Sequence, residues 1–216
     1  MISIVVALGA VFLLLILAES LRSRKIIRGE LARKFVHMSV GTFVAFWPFF
    51  MSWQEIRIMC VAFLLVVIVD RKLRVFKSVH SVKRRTVGDI LFPIGIGLTT
   101  FVSSSPWIFT VAVLHLSLGD GMAAVVGNKY GQKYAYTIFH QVKSGVGSIA
   151  FWLVSLIITS VLLLFMPVQL DQVAFALLLL LPISATALES LSIFGMDNIT
   201  VPVFIAITLS LLQTIG

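Results

Sequence analysis

"LHLSLGDGMAAVVGNKYGQ", residues 114–132, begins as an apolar segment typical of a membrane helix and then places a carboxylate, Asp120, between two glycines. A charged side chain at the centre of a bilayer costs about 2.5–3.5 kcal/mol on insertion scales. Asp120 is predicted nearer the cytoplasmic end of its span, where the cost is smaller but the carboxylate still demands a partner. Ala123, Ala124 and Gly127 follow at helical spacing and share the face of Asp120. That smooth face favours either close helix packing or the approach of a ligand, and spacing alone leaves both open.

The composition around this stretch is that of a membrane protein. The chain of 216 residues is 59% hydrophobic and only 12% charged, about half the charge of an ordinary soluble domain. Its repeated apolar runs match the roughly 30 Å hydrocarbon core of a bilayer. We therefore predict an all-α fold, a polytopic integral membrane bundle of about 8 transmembrane helices (roughly 7–9), in a single domain over residues 1–216.

Eight apolar segments are candidate spans, and the basic residues between them set the orientation. The approximate bounds of the segments are 2–19, 35–51, 56–70, 89–103, 106–127, 146–166, 172–190 and 199–215. The loops 20–34, 71–88 and 128–145 hold nearly all of the Lys and Arg residues and fall on one side. The excess of positive charge in cytoplasmic loops then predicts that these loops are cytoplasmic and that both termini lie outside. The fourth segment is the weakest, since Pro93 and Gly95 interrupt it.

The net charge of +8 does not indicate a nucleic-acid partner. The basic residues flank membrane segments, where they favour cytoplasmic orientation and contact with anionic lipid. The single cysteine, Cys60, lies in an apolar run and offers neither a disulfide nor a metal pair. The expected surroundings are a lipid bilayer, in the cell membrane or an endomembrane.

Polar residues of "ELARKFVHMSVG", residues 30–41, are predicted at the cytoplasmic level of Asp120. Arg33 and His37 lie four residues apart on one helix face, and Lys34 is adjacent. The two cations could equally be anchors that reach lipid headgroups, and His37 could be a structural histidine.

Two further polar stretches are predicted at the same level. "QVKSGVGS", residues 141–148, opens a span with a lysine, a serine and two glycines, which suits an anion at a helix start but also suits a plain helix cap. "ALESLSIFGMDNITVP", residues 187–202, ends one span with Glu189 and opens the next with Asp197 and Asn198. Acids and bases from distant spans therefore share one membrane edge, as transfer of a phosphoryl group from a metal-bound nucleotide requires.

At these residues the sequence resembles the polyprenol kinase family, which includes dolichol kinase, phytol kinase and the CTP-dependent diacylglycerol kinase. The matching stretches are "ELARKFVH", "LSLGDGMAAVVGNKYGQ", "KSGVGS" and "ALESLSIFGMDNITVP", in the order of the family. The resemblance implies an integral-membrane kinase that moves the γ-phosphate of CTP to a lipid alcohol, with its active site facing the cytoplasm. The use of CTP follows from the resemblance alone. Some relatives carry an acid where this chain has Val146, so no role is carried over for it.

The expected site combines these residues in three roles. The catalytic candidates are Asp120, Lys34, Arg33 and His37, and the proton acceptor is either His37 or Asp120. The nucleotide- and phosphate-binding candidates are Lys143, Ser144, Gly147, Ser148, Gly127 and Asn198. Mg²⁺ or another divalent cation is expected on Asp120, with Asp197 or Glu189 as further ligands.

Two other functions remain open on the sequence. A phosphatidate cytidylyltransferase also uses CTP in a membrane, but it makes a CDP-lipid and its family carries a glycine-rich "PGHGG" stretch where this chain has "IFGMDN". A transporter would place polar residues near the bilayer midplane in paired halves. The broken fourth segment is its main support.

Overall fold

The chain folds into a bundle of helices with one short β-hairpin. The computed structural model describes residues 2–73, 75–77, 87–139, 141–165 and 172–215. The helices in this part are α1 (Ile2–Ser23), α2 (Glu30–Ala45), α3 (Trp53–Leu73), α4 (Gly88–Val102), α5 (Pro106–Leu114), α6 (Asp120–Tyr130), α7 (Gly145–Phe165), α8 (Gln172–Leu191) and α9 (Asp197–Ile215). Strands β1 (Ala135–Ile138) and β2 (Gln141–Ser144) pair antiparallel between α6 and α7. The mainly helical fold is as predicted, whereas the hairpin lies in a segment predicted as a loop.

Each predicted span overlaps a helix. Within the described residues, three helical segments are long and apolar enough to cross a bilayer: Ile2–Ser23, Pro106–Tyr130 and Gly145–Phe165. Shorter apolar helices run over Gly88–Val102, Phe175–Leu191 and Asp197–Gln213. These lengths support the membrane class, and the number of crossings stays a prediction. The predicted opposite-side loop at 166–172 and the cations at 83–85 lie almost wholly outside the described residues.

The helix that carries Asp120 lies at the centre of the bundle. In its most apolar window 72% of the residues are buried, against 17% for α1 and 28% for α7. Ser105 caps the start of α5 by accepting from the backbone N–H of Ile108, and Pro106 occupies the first turn, where no N–H is needed. One face of α5 packs with Trp47 in one apolar core, and the other packs with Phe151 in a second. A polar residue on this helix is therefore held from several sides.

Helix α4 runs without a break through Pro93, so the interpretation of a broken fourth segment is wrong. Its glycine serves a close approach instead. A Cβ at Gly95 would overlap the backbone carbonyl of Asn198 in the first turn of α9. The loop before α9 reaches this position through Gly195, whose φ of +90° is available to glycine at little cost. With this break gone, the main structural support for a transporter is removed.

Candidate active site

Three acids from different elements meet inside the bundle. Asp120 begins α6, Glu189 lies near the end of α8, and Asp197 begins α9. One carboxylate oxygen of each lies within 4.8 Å of the others. All three side chains are buried. Such a cluster is unstable without cations, because like charges at this spacing repel strongly away from water.

A π-helical turn, residues 115–119, directly precedes Asp120 and sets its direction. Turns of this kind interrupt the regular helical hydrogen bonds and occur often at functional sites. His37 Nε2 lies 3.1 Å from the carbonyl oxygen of Leu116 in this turn and 3.2 Å from Oδ2 of Asp120. Lys34, one helical turn earlier on α2, forms a buried ion pair with the same Oδ2. Helix α2 therefore fixes Asp120 with two side chains.

The glycines on either side of Asp120 pack helices. A Cβ at Gly119 would lie 2.8 Å from the ring of Phe151 on α7, and one at Gly121 would overlap Met38 on α2. Gly127 lies against the α7 start, where a Cβ would be 3.4 Å from the Cα of Gly147. The small residues thus bring α2 and α7 close enough for their polar side chains to reach the acids.

The β-hairpin brings Lys143 to Glu189. The Nζ of Lys143 donates to the Glu189 carbonyl oxygen at 2.9 Å and forms an ion pair with its carboxylate. Burial lowers the pKa of the Lys143 ammonium, but Glu189 and Asp197 raise it by more, so the net pKa lies above its ordinary value. Lys143 therefore stays protonated and positively charged beside the cluster.

The residue after Lys143 caps a helix. Ser144 Oγ accepts from the N–H of Gly147 at 3.0 Å, which is the capping geometry expected at the start of α7. The same hydroxyl closely approaches Gly127 and Gly131, where a Cβ would crowd it. The structure thus supports the interpretation that Ser144 caps α7, and its proposed role in binding phosphate stays a prediction.

A chain of hydroxyls links the hairpin to the acid cluster. Tyr136 pairs with Lys143 across the hairpin, and its hydroxyl lies 2.9 Å from Ser148 Oγ on α7. Ser148 Oγ in turn lies 2.9 Å from Ser190 Oγ on α8, the neighbour of Glu189. These hydrogen bonds join three elements beside the cluster and attach β1, the strand that pairs with the Lys143 strand, to α7.

Arg33 is paired within its own helix. Its guanidinium donates to Glu30 through Nε at 3.1 Å and Nη2 at 2.5 Å. This pair lies at the edge of the cavity described next, so Arg33 contacts none of the three clustered acids through a salt bridge in the described residues.

The acids and cations line one cavity of about 360 Å³, within the range of small-molecule sites. Every predicted site residue lies on its wall except His37, which stands behind Asp120. Their predicted roles are not tested by this placement. The polar lining residues that sequence reasoning missed are Glu30, Asn128, Gln132 and Gln141. Nothing in the sequence singled them out, because the three amides become neighbours only through the hairpin and the turn before it.

The donor set fits a hard divalent cation. Carboxylate and carbonyl oxygens are the ligands that Mg²⁺ prefers, and the cluster offers three carboxylates. Asn198, also on the wall, donates its Nδ2 to Gly195 O and Asp197 Oδ1. Its Oδ1 is buried and has no hydrogen-bond partner in the described part of the chain. A buried amide oxygen of this kind normally has a partner, so a bound cation or its water is a chemically reasonable one.

Comparison with known proteins gives a consistent set of relatives. The chain is 29% identical over 211 residues to the phytol kinase of a Synechocystis strain. The aligned region covers 92% of this chain and 87% of that protein. This chain is thus similar, over most of its length, to a curated protein named phytol kinase. The probable phytol kinase 1 of Oryza sativa is 27% identical, and the alignment covers 85% of this chain and 65% of that protein. The probable phytol kinase 2 of Glycine max is also 27% identical, and the alignment covers 93% of this chain and 71% of that protein. Both plant proteins are described as chloroplastic. No family model matches the chain, and no solved structure matches it significantly.

These relatives confirm the resemblance to the polyprenol kinase family that the motifs indicated. The alignment with the Synechocystis protein covers 92% of the chain.

Proposed function

We propose that the chain is an integral-membrane lipid kinase that transfers the γ-phosphate of CTP to the hydroxyl of a lipid alcohol. The observation that carries this proposal is the buried meeting of three carboxylates and two lysines in one cavity. Phosphoryl transfer needs this combination, because a metal and cations must together neutralise the charge on the phosphates. The names of the homologues favour phytol or a related isoprenoid alcohol as acceptor, and the family resemblance favours CTP as donor.

The residues divide this work by charge. Asp120, Glu189 and Asp197 would hold a Mg²⁺ ion, which would supply charge neutralisation and orientation at the phosphates. Lys34 and Lys143 would bind phosphate oxygens from either side of the cluster, and Arg33 would bind them from the cavity edge. His37 lies behind Asp120 and off the wall, so we assign it to positioning Asp120.

The reaction breaks the bond between the γ-phosphorus and the oxygen that bridges to the β-phosphate. A new bond forms between the lipid hydroxyl oxygen and the γ-phosphorus, and a nucleoside diphosphate leaves. The hydroxyl proton passes to a carboxylate oxygen of the cluster and then to water. Because such transition states are loose, alignment and electrostatic stabilisation contribute more than proton removal.

The polar ends and the apolar exterior suit two substrates of different solubility. Asn128 and Gln132 are exposed and line the cavity, so they mark its solvent-exposed mouth, where a nucleotide would enter. The bundle leaves large apolar side chains such as Leu153, Ile157 and Leu164 exposed on α7, where acyl or isoprenoid chains would surround it. We propose that the mouth faces the cytoplasm, on the side of the basic loops.

The test uses purified protein with a panel of lipid alcohols and nucleotides labelled at the γ-phosphate. Label in the lipid product with CTP supports the proposal, and the preferred alcohol identifies the acceptor. A cytidylyltransferase would instead release that label in pyrophosphate and leave cytidine on the lipid. The relatives described above bear the name of a kinase and give that alternative no support. Absence of labelled lipid with every nucleotide donor and every lipid alcohol would refute the proposed kinase activity.

A further inference from the structure

The two cavity lysines already occupy two of the three acids. Lys34 forms its ion pair with Asp120, and Lys143 forms its ion pair with Glu189. These are also carboxylates of the cluster that could hold a metal. The side chains are mostly withdrawn from water, with 5% and 9% exposure in the first pair and 18% and 5% in the second. Ammonium groups therefore lie where a divalent cation would make its bonds.

The lysines and a metal cannot use the same oxygens equally well. A carboxylate oxygen that binds Mg²⁺ directly lies about 2.0–2.1 Å from the ion. This distance is shorter than the contact between an ammonium nitrogen and the same oxygen, so the metal and the ammonium group compete for the oxygen. Two cations brought together among side chains that are mostly withdrawn from water also repel each other. Lysine is suited to give way, since its ammonium is carried on a flexible four-carbon stem.

The formal charge of the cluster points to the same coupling. Three carboxylates against two ammonium groups leave one negative charge in excess. A triphosphate arriving alone would meet this charge, and its phosphates would find both lysines engaged. A divalent cation arriving alone would have to displace a lysine from its carboxylate and leave the ammonium charge beside the metal.

Resting on the proposed function, we infer that Lys34 and Lys143 are exchangeable counter-ions. They neutralise Asp120 and Glu189 before the ligands bind, and they move to the nucleotide phosphates when a divalent cation takes over the carboxylates. Every lysine and every carboxylate keeps an oppositely charged partner only when metal and nucleotide enter together. Each ligand therefore strengthens the binding of the other by the same factor, as thermodynamic linkage requires.

The alternative is that the lysines only position the carboxylates. The sign of one measurement separates the two cases. If Lys34 only positions Asp120, then Lys34→Gln loosens the cluster and weakens binding of a metal. If Lys34 competes with the metal, then Lys34→Gln strengthens binding of the metal when no nucleotide is present.

The experiment measures binding of Mn²⁺ to purified protein by the electron paramagnetic resonance signal of the free ion, without lipid acceptor. We expect Lys34→Gln to bind Mn²⁺ alone at least tenfold more tightly than the wild type, by the removal of a competing unit charge. With Mn²⁺ present, the same variant should bind the β,γ-methylene analogue of CTP at least tenfold more weakly. Mn²⁺ affinity in the wild type should rise when the analogue is added.

Two variants complete the design. Arg22→Gln removes the same charge from a pair with Glu19 on α1, away from the cavity wall, and should leave both affinities unchanged. Lys143→Gln repeats the test on the second pair, which is less buried, and carries the test alone if Lys34→Gln fails to fold. Unchanged or weaker Mn²⁺ binding in the folded variants overturns the exchange. Since no phosphoryl transfer is measured, failure of the kinase assay is a separate result.

Discussion

The first turn of α9 passes so close to α4 that a Cβ at Gly95 would overlap the backbone carbonyl of Asn198. This contact sets the position of Asp197, the preceding residue and one of the three clustered acids. The second obstacle to a side chain at Gly95 is the Cα of Ile199, at 3.2 Å. Both obstacles are backbone, so neither can turn aside as a flexible side chain would.

Gly95→Ala is therefore expected to destabilise the protein and to disturb the acid cluster together. Overpacking of this kind costs about 1–3 kcal/mol, and backbone contacts place this site at the upper end. Thermal unfolding in detergent, followed by intrinsic fluorescence, measures the loss. Gly9→Ala on α1 is the matched control, since no described atom beyond the local backbone of its own helix lies within 4 Å of a Cβ there. Equal melting temperatures for the two variants would contradict this account of Gly95.

Asp120→Asn is expected to lower phosphorylation of a lipid alcohol at least about 100-fold, a typical loss for one charged group that stabilises a transition state. Asparagine keeps the shape of the side chain and can still accept from Lys34, so folding should survive more often than with alanine. Activity is measured with labelled CTP after the folded state has been verified by size-exclusion chromatography. Glu19→Gln, which removes an acid from the α1 pair, should retain activity. An active Asp120→Asn protein would remove Asp120 from the metal site.

Much of this site follows from the sequence through a simple topological argument. Lys34 and Asp120 are 86 residues apart, yet counting spans and the side of the basic loops placed both at one membrane edge. The same argument placed Glu189 and Asp197 there. These four residues lie together because alternating spans leave few choices for which ends can meet.

Other features depend on tertiary packing that sequence patterns do not carry. The strand Gln141–Ser144 mixes polar residues with one valine and has no long alternation, so it carries no strand signal by itself. His37 faces Leu116 and Asp120 only because α2 packs beside the π-helical turn, which has no sequence signature. Pro93 and Gly95 indicated a break, but Gly95 is explained by its helix neighbour instead.

Tyr136→Phe is expected to raise KM for the nucleotide more than it lowers kcat. The change removes the hydrogen bond to Ser148, worth about 0.5–1.5 kcal/mol, and so loosens the hairpin that carries Lys143. Steady-state kinetics with varied CTP measures both constants. Tyr134→Phe is the matched control, because the exposed Tyr134 hydroxyl has no hydrogen bond in the described residues. Unchanged KM in Tyr136→Phe would show that the hydroxyl chain does not position the site.

Lys143→Gln is expected to destabilise the protein by a nearly constant amount between pH 7 and about 9, the range below the ordinary pKa of lysine. The pKa of Lys143 is raised in the folded state, so its pairing with Glu189 is fully present below the pKa of the unfolded chain. That contribution is lost only as the pH rises through the still higher folded pKa. Thermal unfolding of the wild type and the variant across this range measures the difference. A stability difference that disappears before pH 9 would show that the pKa of Lys143 is not raised in the folded protein.

The orientation of the cavity is testable by chemical labelling from one side of the membrane. Replacing the buried Cys60 by alanine gives a background without cysteine, into which Gln54→Cys or Lys133→Cys is introduced at an exposed position. The basic-loop rule places position 133 in the cytoplasm and position 54 outside. An impermeant maleimide should therefore label position 54 in right-side-out vesicles and position 133 in inside-out vesicles. Because the turn at 132–134 adjoins the mouth of the cavity, labelling of position 133 from outside would reverse the orientation proposed for the active site.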